Sequence, residues 1–465
     1  MKKLLSKIAA LGIIATIAST SVMAQEPTIS RWSALDVYET YNYGIFDMNW
    51  LGEDMRCPIS SEKFEELFKL TDEKLGDING VKKNTEISIT APEGEITKEA
   101  VLNTLYTILT SYDYTSDLAF EGKDALTYMQ EIKVVQGDGK NLGLEDACTV
   151  EQAIVMAQRL IEYTYDVCDS DSKGLLWKVE KDGNTVYMLG SIHIANSNIY
   201  PMSKEVKDAY ESADELVVEC NTNVQPTAEM EAIKVYSDGT TVKDYLSADY
   251  YEKLTTVLKE YELTPEQIGS AKDWSIALTL ELLESMNNGG SEDISMKNVD
   301  GIDMFFLVNA QMTGKNIGEL ESIMYQLEML DGMSQELKTY NLETRIDSTI
   351  AGKSSTEGEL SDVATGFNDM LDDWKTGDAE GLKEELVGDE EAASDLTAEE
   401  LVLVEEYNKA MLTDRDKGMA DKIEGYLNAE GSKTYFVVAG AAHYVTDTGI
   451  IAQLKEKGYE VTQIK

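Results

Sequence analysis

The chain predicts a mixed α/β fold: a partly parallel sheet flanked by helices, preceded by a small all-helical domain. Three observations predict it. Val186–His193 (VYMLGSIH) and Phe436–His443 (FVVAGAAH) are short apolar runs rich in β-branched and aromatic residues, the pattern of buried strands. Leu175–His193 holds an Asp182-Gly183 pair between apolar runs, the strongest short hairpin signal. A helical stretch over 203–213 and an ELVVEC strand at Glu215–Cys220 then complete strand, helix, strand, which makes the sheet at least partly parallel.

Taken in order, the chain opens with Lys2, Lys3 and Lys7, an apolar run from Ile8 to about Ala18, and Val22-Met23-Ala24. That is the form of a secretory signal peptide over 1–24, too short and wrongly flanked for a retained membrane span. No later stretch is apolar for long enough to cross a bilayer, so the expectation is a secreted or cell-surface protein without a span once cleaved.

Residues 28–170 read as helices with loops, at Trp32–Tyr43, Lys98–Tyr112 and Thr149–Tyr165. The last two space Val101, Leu105, Ile108 and Leu109, and Ile154, Ala157, Leu160 and Ile161, on one face. Each starts with a Thr followed closely by Glu, a capping arrangement. From 174 to 465 the α/β pattern takes over. Its middle, roughly 225–430, is mostly helical; 287–300 (NNGGSEDISMKNVD) reads as a mobile loop and 352–358 as a second break. The close is a strand, a helix over 449–457 and a last strand over 459–464.

With 86 acidic against 40 basic residues, a net charge of −46, the surface repels nucleic acid and anionic lipid. Four cysteines are too few for a disulfide framework; Cys148 and Cys168 are placed to pair across a short helical hairpin, and Cys220 reads as a buried thiol in its strand.

The chain has two histidines, and each follows a strand and a glycine by three residues: Gly190 to His193 and Gly440 to His443. In an open α/β sheet functional groups collect past the carboxyl ends of the strands. A glycine there permits a sharp structural turn or the close approach of a ligand. Two such strands side by side aim two imidazoles at one spot, and imidazole is the commonest ligand of transition metals. Glu219, ending its own strand, projects from the same edge. Two His and one carboxylate suffice for a divalent ion, with Zn, Mn and Co suited about equally, and such an ion activates water and polarises a carbonyl. The alternative for Glu219 is a partner that orients a histidine.

Two resemblances add to this reading. Val134-Val135-Gln136-Gly137 and Thr149-Val150-Glu151-Gln152-Ala153, with Ile96-Thr97-Lys98-Glu99-Ala100 before them, resemble the S-layer homology module, which implies attachment to a cell-wall polymer. The place of that family's wall-binding arginine is taken by Lys98 and Val150. Over 174–465 the order Tyr187-x-Leu189-Gly190-Ser191-Ile192-His193, Val217-Val218-Glu219-Cys220-Asn221, Gly301-Ile302-Asp303, Glu319–Leu327 (ELESIMYQL), Leu412–Ala420 (LTDRDKGMA) and Val437–Tyr444 resembles the TraB/GumN family, a relative of the Tiki and erythromycin-esterase-like proteins. The resemblance implies a metal-dependent hydrolase of the peptidase kind. By it His193 and His443 are metal ligands, Glu219 a ligand or general base, and Asp303, Glu321 and Arg415 line the site, the first two toward substrate. Arg415 reads either as a donor to a substrate carboxylate or the developing charge, or as a salt bridge in a chain crowded with acids. Arg415-Asp416 stands where the family usually has Arg-Asn.

The expectation is therefore a secreted metal-dependent hydrolase acting on a peptide or small-molecule substrate. Two other readings stand beside it: a non-catalytic binder that sequesters a peptide signal, and a cell-surface attachment protein.

Overall fold

A computed structural model describes residues 28–137, 141–287, 298–354, 357–387 and 396–465. The leader expected at 1–24, most of the loop expected at 287–300 and part of the break at 352–358 lie outside the described residues.

The N-terminal part forms helices α1 (Ala34–Asn42), α2 (Ser61–Gly76), α3 (Lys98–Thr110) and α4 (Val150–Val167) among shorter turns. Their starts follow from capping chemistry. Thr97 accepts the Ala100 N–H, and Thr149 and Gln152 satisfy each other's backbone in a capping box. The eight apolar residues expected on one face of α3 and α4 are all fully buried. Among the described residues of this part, Lys82–Lys83 pairs antiparallel with Tyr112–Asp113. Cys148 and Cys168 are free thiols. The pairing is corrected by geometry: they flank a single helix, α4, whose 18 residues put them on the order of 27 Å apart at 1.5 Å per residue, far beyond disulfide reach.

Beyond α4 come β1 (Leu175–Lys181), β2 (Asn184–Ser191), the short β3 (Ile194–Asn196), α5 (Lys204–Ser212) and β4 (Glu215–Cys220). The hairpin turn is as expected, with Asp182 and Gly183 both at positive φ (52° and 94°), the form that suits the twist of the two strands. A helical stretch leads to β5 (Asn298–Asp300), α6 (Ile302–Thr313), β6 (Asn316–Glu321) and α7 (Ile323–Gly332). The chain closes with α8 (Asp414–Leu427), β7 (Thr434–Gly440), α9 (Ile450–Glu456) and β8 (Val461–Ile464).

Six strands form one mixed sheet in the order β8-β1-β2-β7-β4-β6. β8, β1 and β2 run antiparallel; β2, β7, β4 and β6 are parallel neighbours. Ser191 lies opposite Gly440, and Cys220 opposite Glu321, so four strands end together at one edge. β3 and β5 pair separately, so the stretch expected as a loop ends in a strand.

One hydrophobic cluster runs without interruption from Val37 in α1 through α3 and α4 to Met188, Val217 and Phe436 of the sheet. No helix among the described residues is long and apolar enough to cross a membrane.

Candidate active site at the carboxyl ends of the parallel strands

Each parallel strand delivers one group to the shared edge: β2 leads to His193, β7 to His443, β4 carries Glu219 and β6 ends on Glu321. The glycines before the histidines do not act as left-handed turns. Neither has a positive φ, and both sit within their strands. Gly190 sits in a tight contact, where a Cβ would stand 3.1 Å from the Ala441 Cα and 3.3 Å from the Leu175 Cβ. Gly440 contributes its N–H, which donates to Glu219 Oε2 at 2.8 Å.

The two imidazoles are held the same way. His193 Nδ1 bonds Asp303 Oδ1 at 2.9 Å, and His443 Nδ1 bonds Asp416 Oδ1 at 2.6 Å. A carboxylate at Nδ1 fixes the ring and its tautomer and leaves Nε2 as the reactive nitrogen, the arrangement metal-binding histidines use. His443 Nε2 stands 3.9 Å from Glu219 Oε1. His193 Nε2 is buried with no hydrogen-bond partner.

Glu219 is the hub, only 6% exposed. Its Oε1 accepts from Arg415 Nη2 at 2.5 Å and from Gln326 Nε2 at 3.2 Å. Arg415, 1% exposed, also grips Glu321 through Nε (3.0 Å) and Nη2 (2.8 Å) and donates Nη1 to the Met411 carbonyl. Its guanidinium is thus engaged by two carboxylates and turned away from solvent.

The electrostatics follow. Burial alone would push the Glu219 carboxyl up, but Arg415 first, then His443 and His193, hold it down to about 2. Burial pushes His193 down, yet Asp303 and then Glu219 outweigh it and lift the imidazole to about 9. Burial raises the Asp416 carboxyl, with the bond from His443 pulling the other way. The edge therefore favours positive charge at His193.

No metal is part of this structure. The donor chemistry fits one: two nitrogens with carboxylate-fixed tautomers, one of them buried without a partner, beside a buried anion. Among the described residues, however, no group of three or more His, Cys, Asp or Glu side chains is assembled to hold an ion.

All sequence-expected site residues converge here, and three of them bond other members of the site, Arg415 through the ion pairs that are one of its two expected roles. Asp303 bonds His193, Glu321 bonds Arg415, and Arg415 faces the two glutamates. Asp416 and Gln326 were not singled out in the sequence. Asp416 was noted only as a departure from the family's Arg-Asn; its bond to His443 shows what that position does. Asp416→Ala should lower any metal affinity or turnover by about 10–100-fold, the usual cost of losing such a partner. Asp416→Asn, which keeps an oxygen toward Nδ1, should stay within a few-fold. Titrating metal into both variants checks it, and equal losses would rule the orienting role out.

A groove of about 840 Å³ opens beside this edge between β6 and α8, lined by Glu319, Glu321, Tyr325, Lys422 and Tyr426. That volume lies in the range of small-ligand sites.

A parallel-centred α/β sheet with two strand-Gly-x-x-His devices and a buried Glu at one edge defines a class, and the chain belongs to it. Residues 175–463 match the TraB/PrgY/gumN family, so this protein is a member of that family. Among individual proteins it is similar to a metalloprotease TIKI1 of Danio rerio, 19% identical over 317 residues, 63% of each chain. It is also similar to a metalloprotease TIKI homolog of Nematostella vectensis, 22% identical over 68% of this chain and 73% of the relative. A shorter likeness, 24% identical over 31% of this chain and 51% of the other, is to the uncharacterized protein YbaP of Escherichia coli (strain K12). The chain spans about 63% of the length of the Danio protein. No solved structure shows a significant match.

Proposed function

We propose that the protein is a secreted metal-dependent hydrolase acting on peptide bonds. The observation that carries the reading is the matched pair of histidines, each tied at Nδ1 to a carboxylate and each leaving Nε2 at the edge where Glu219 sits. The names of the TIKI relatives support the reaction class.

His193 Nε2 and His443 Nε2 would hold the ion, with Glu219 as the neighbouring anion. When bound, a divalent metal supplies Lewis acidity toward a carbonyl and makes water a stronger acid. The remaining roles belong to the chain. Asp303 and Asp416 keep the rings aimed. Arg415, Gln326 and the Gly440 N–H fix Glu219 in one position and keep it ionised. A carboxyl held near 2 is a poor proton acceptor at pH 7, since general bases work best with a pKa near the working pH. Of the two roles open to Glu219, ligand or electrostatic anchor is favoured over base. The groove along β6 gives a peptide a place to lie.

A second reading, a non-catalytic peptide binder, draws support from the lack of an assembled three-ligand group among the described residues. One experiment separates the two. The purified full chain should take up one zinc, manganese or cobalt ion per molecule and cut members of a degenerate peptide pool. His443→Ala should lose both, and a chelator should abolish cleavage. Peptide affinity that survives chelation and His443→Ala, with no cleavage in the wild type, would favour the binder.

A further inference from the structure

The sequence presents the N-terminal helices as a separate small domain, and the family match begins only at residue 175. Yet helix α1 reaches the support of His193. We infer that Tyr38 and Asn42 of α1 are positioning residues for His193, so that the N-terminal region completes a site otherwise built by the family fold. The inference rests on His193 being a site residue and not on which reaction the site performs.

The connection can be followed bond by bond. His193 lies between two backbone links to the segment around residue 301. The Ile302 N–H donates to the Ile192 carbonyl at 3.1 Å, and Ile194 pairs with Asp300 where β3 meets β5. Gly301 lets the segments touch: a Cβ there would stand 2.3 Å from the His193 carbonyl oxygen. Asp303, the partner of the His193 ring, follows two residues later at the start of α6. The position of Asp300 therefore sets both the backbone beside His193 and the carboxylate that aims its ring.

Asp300 is in turn held by α1. Its N–H donates to Asn42 Oδ1 at 3.1 Å, and its Oδ2 accepts from the Tyr38 hydroxyl at 2.8 Å. Tyr200 donates to its carbonyl at 2.8 Å. Asn42 is fully buried and has no solvent-facing task. An aromatic series keeps these hydroxyls in place. Tyr38 stacks on Phe305 with ring centres 5.9 Å apart, Phe305 meets Tyr200 at 5.2 Å, and Tyr200 stacks on Tyr43 at 6.4 Å. A further bond from the same region, Lys74 Nζ to the Ser197 carbonyl at 2.7 Å, ties down the chain just past β3. A helix serving only to cover the core would need the rings. It would not need the two polar bonds that converge on one residue three places before Asp303.

The test uses the fact that the chain has two histidines. With histidine isotopically labelled in the untagged full chain, kept metal-free, the two imidazoles give two sets of ring nitrogen and Cε1 resonances. His443→Gln assigns them. Tyr38→Phe, which removes one oxygen, and Asn42→Ala should each displace or broaden the His193 set and leave the His443 set in place. Asp300→Asn, which keeps an oxygen for Tyr38 and the N–H for Asn42, should leave the wild-type His193 pattern unchanged. An unmoved His193 set in both α1 variants would overturn the inference. So would equal movement of both sets, which would mean general loosening. A chain with no hydrolytic activity would still answer, because the ring itself is the readout; failure of the hydrolase reading and failure of this one are thus separate results.

Discussion

Arg415→Met should destabilise the metal-free protein by about 3–5 kcal/mol, the range for breaking a buried ion pair from one side. The loss comes less from the missing bonds than from what they leave behind. Glu219 and Glu321 are 6% and 8% exposed, and both lose their cation at once. The pH dependence should change sign as well. In the wild type the Glu219 carboxyl is depressed to about 2 from an unfolded value of about 4.3, worth roughly 3 kcal/mol of stability. That contribution is fully present above the unfolded value and lost as pH falls through the folded one. Without Arg415, burial dominates and the carboxyl rises above 4.3. The variant should then gain stability, relative to its own value at neutral pH, as pH falls toward 4. Urea unfolding in chelator between pH 4 and 7 reads both effects. Restoring much of the loss with Glu219→Gln and Glu321→Gln added would place the cost on the stranded charges. A variant within 1 kcal/mol of wild type across that range would show that the pair does not bear on stability.

What the sequence made legible, and what it did not, divides along range and background. The hairpin, β4, β7 and the capped helices were legible because their signals are local: an Asp-Gly turn, apolar runs, a Thr at a helix start. Both histidines and Glu219 stood out because they end such strands, and histidine is scarce in this chain. β6 was missed because Asn316–Glu321 (NIGELE) has only two large apolar residues; as the outer strand of the sheet it buries little. β3 and β5 are three residues each and pair across about a hundred positions, which no local pattern reveals. Asp303 was reached only through the family resemblance, and Asp416 was hidden by composition: among 86 acidic residues a carboxylate bonded to an imidazole looks like any other. The cysteine pairing failed because a hairpin was expected where one continuous helix runs.

Glu219→Gln should cost more function than any single change outside the two histidines. The substitution keeps the size of the side chain and one acceptor oxygen, which can serve Arg415 or the Gly440 N–H but not both; Arg415 keeps Glu321, so the fold should persist at reduced stability. It removes the one anion that stands 3.9 Å from the His443 Nε2 and that also raises the His193 imidazole. Two unit charges about 4 Å apart at an effective dielectric constant near 20 interact by roughly 4 kcal/mol. That corresponds to about three decades in the affinity for a cation. Metal uptake and cleavage of the peptide pool should therefore fall together by at least about 10²-fold, exceeding the loss from Asp416→Ala. Calorimetric metal titration beside product analysis distinguishes the roles of Glu219. If it acts as ligand or anchor, affinity and turnover decline in parallel. If it acts as the base, the metal still binds as in the wild type and turnover alone drops. If the variant binds and cuts like wild type, the edge of the sheet is not the reaction centre.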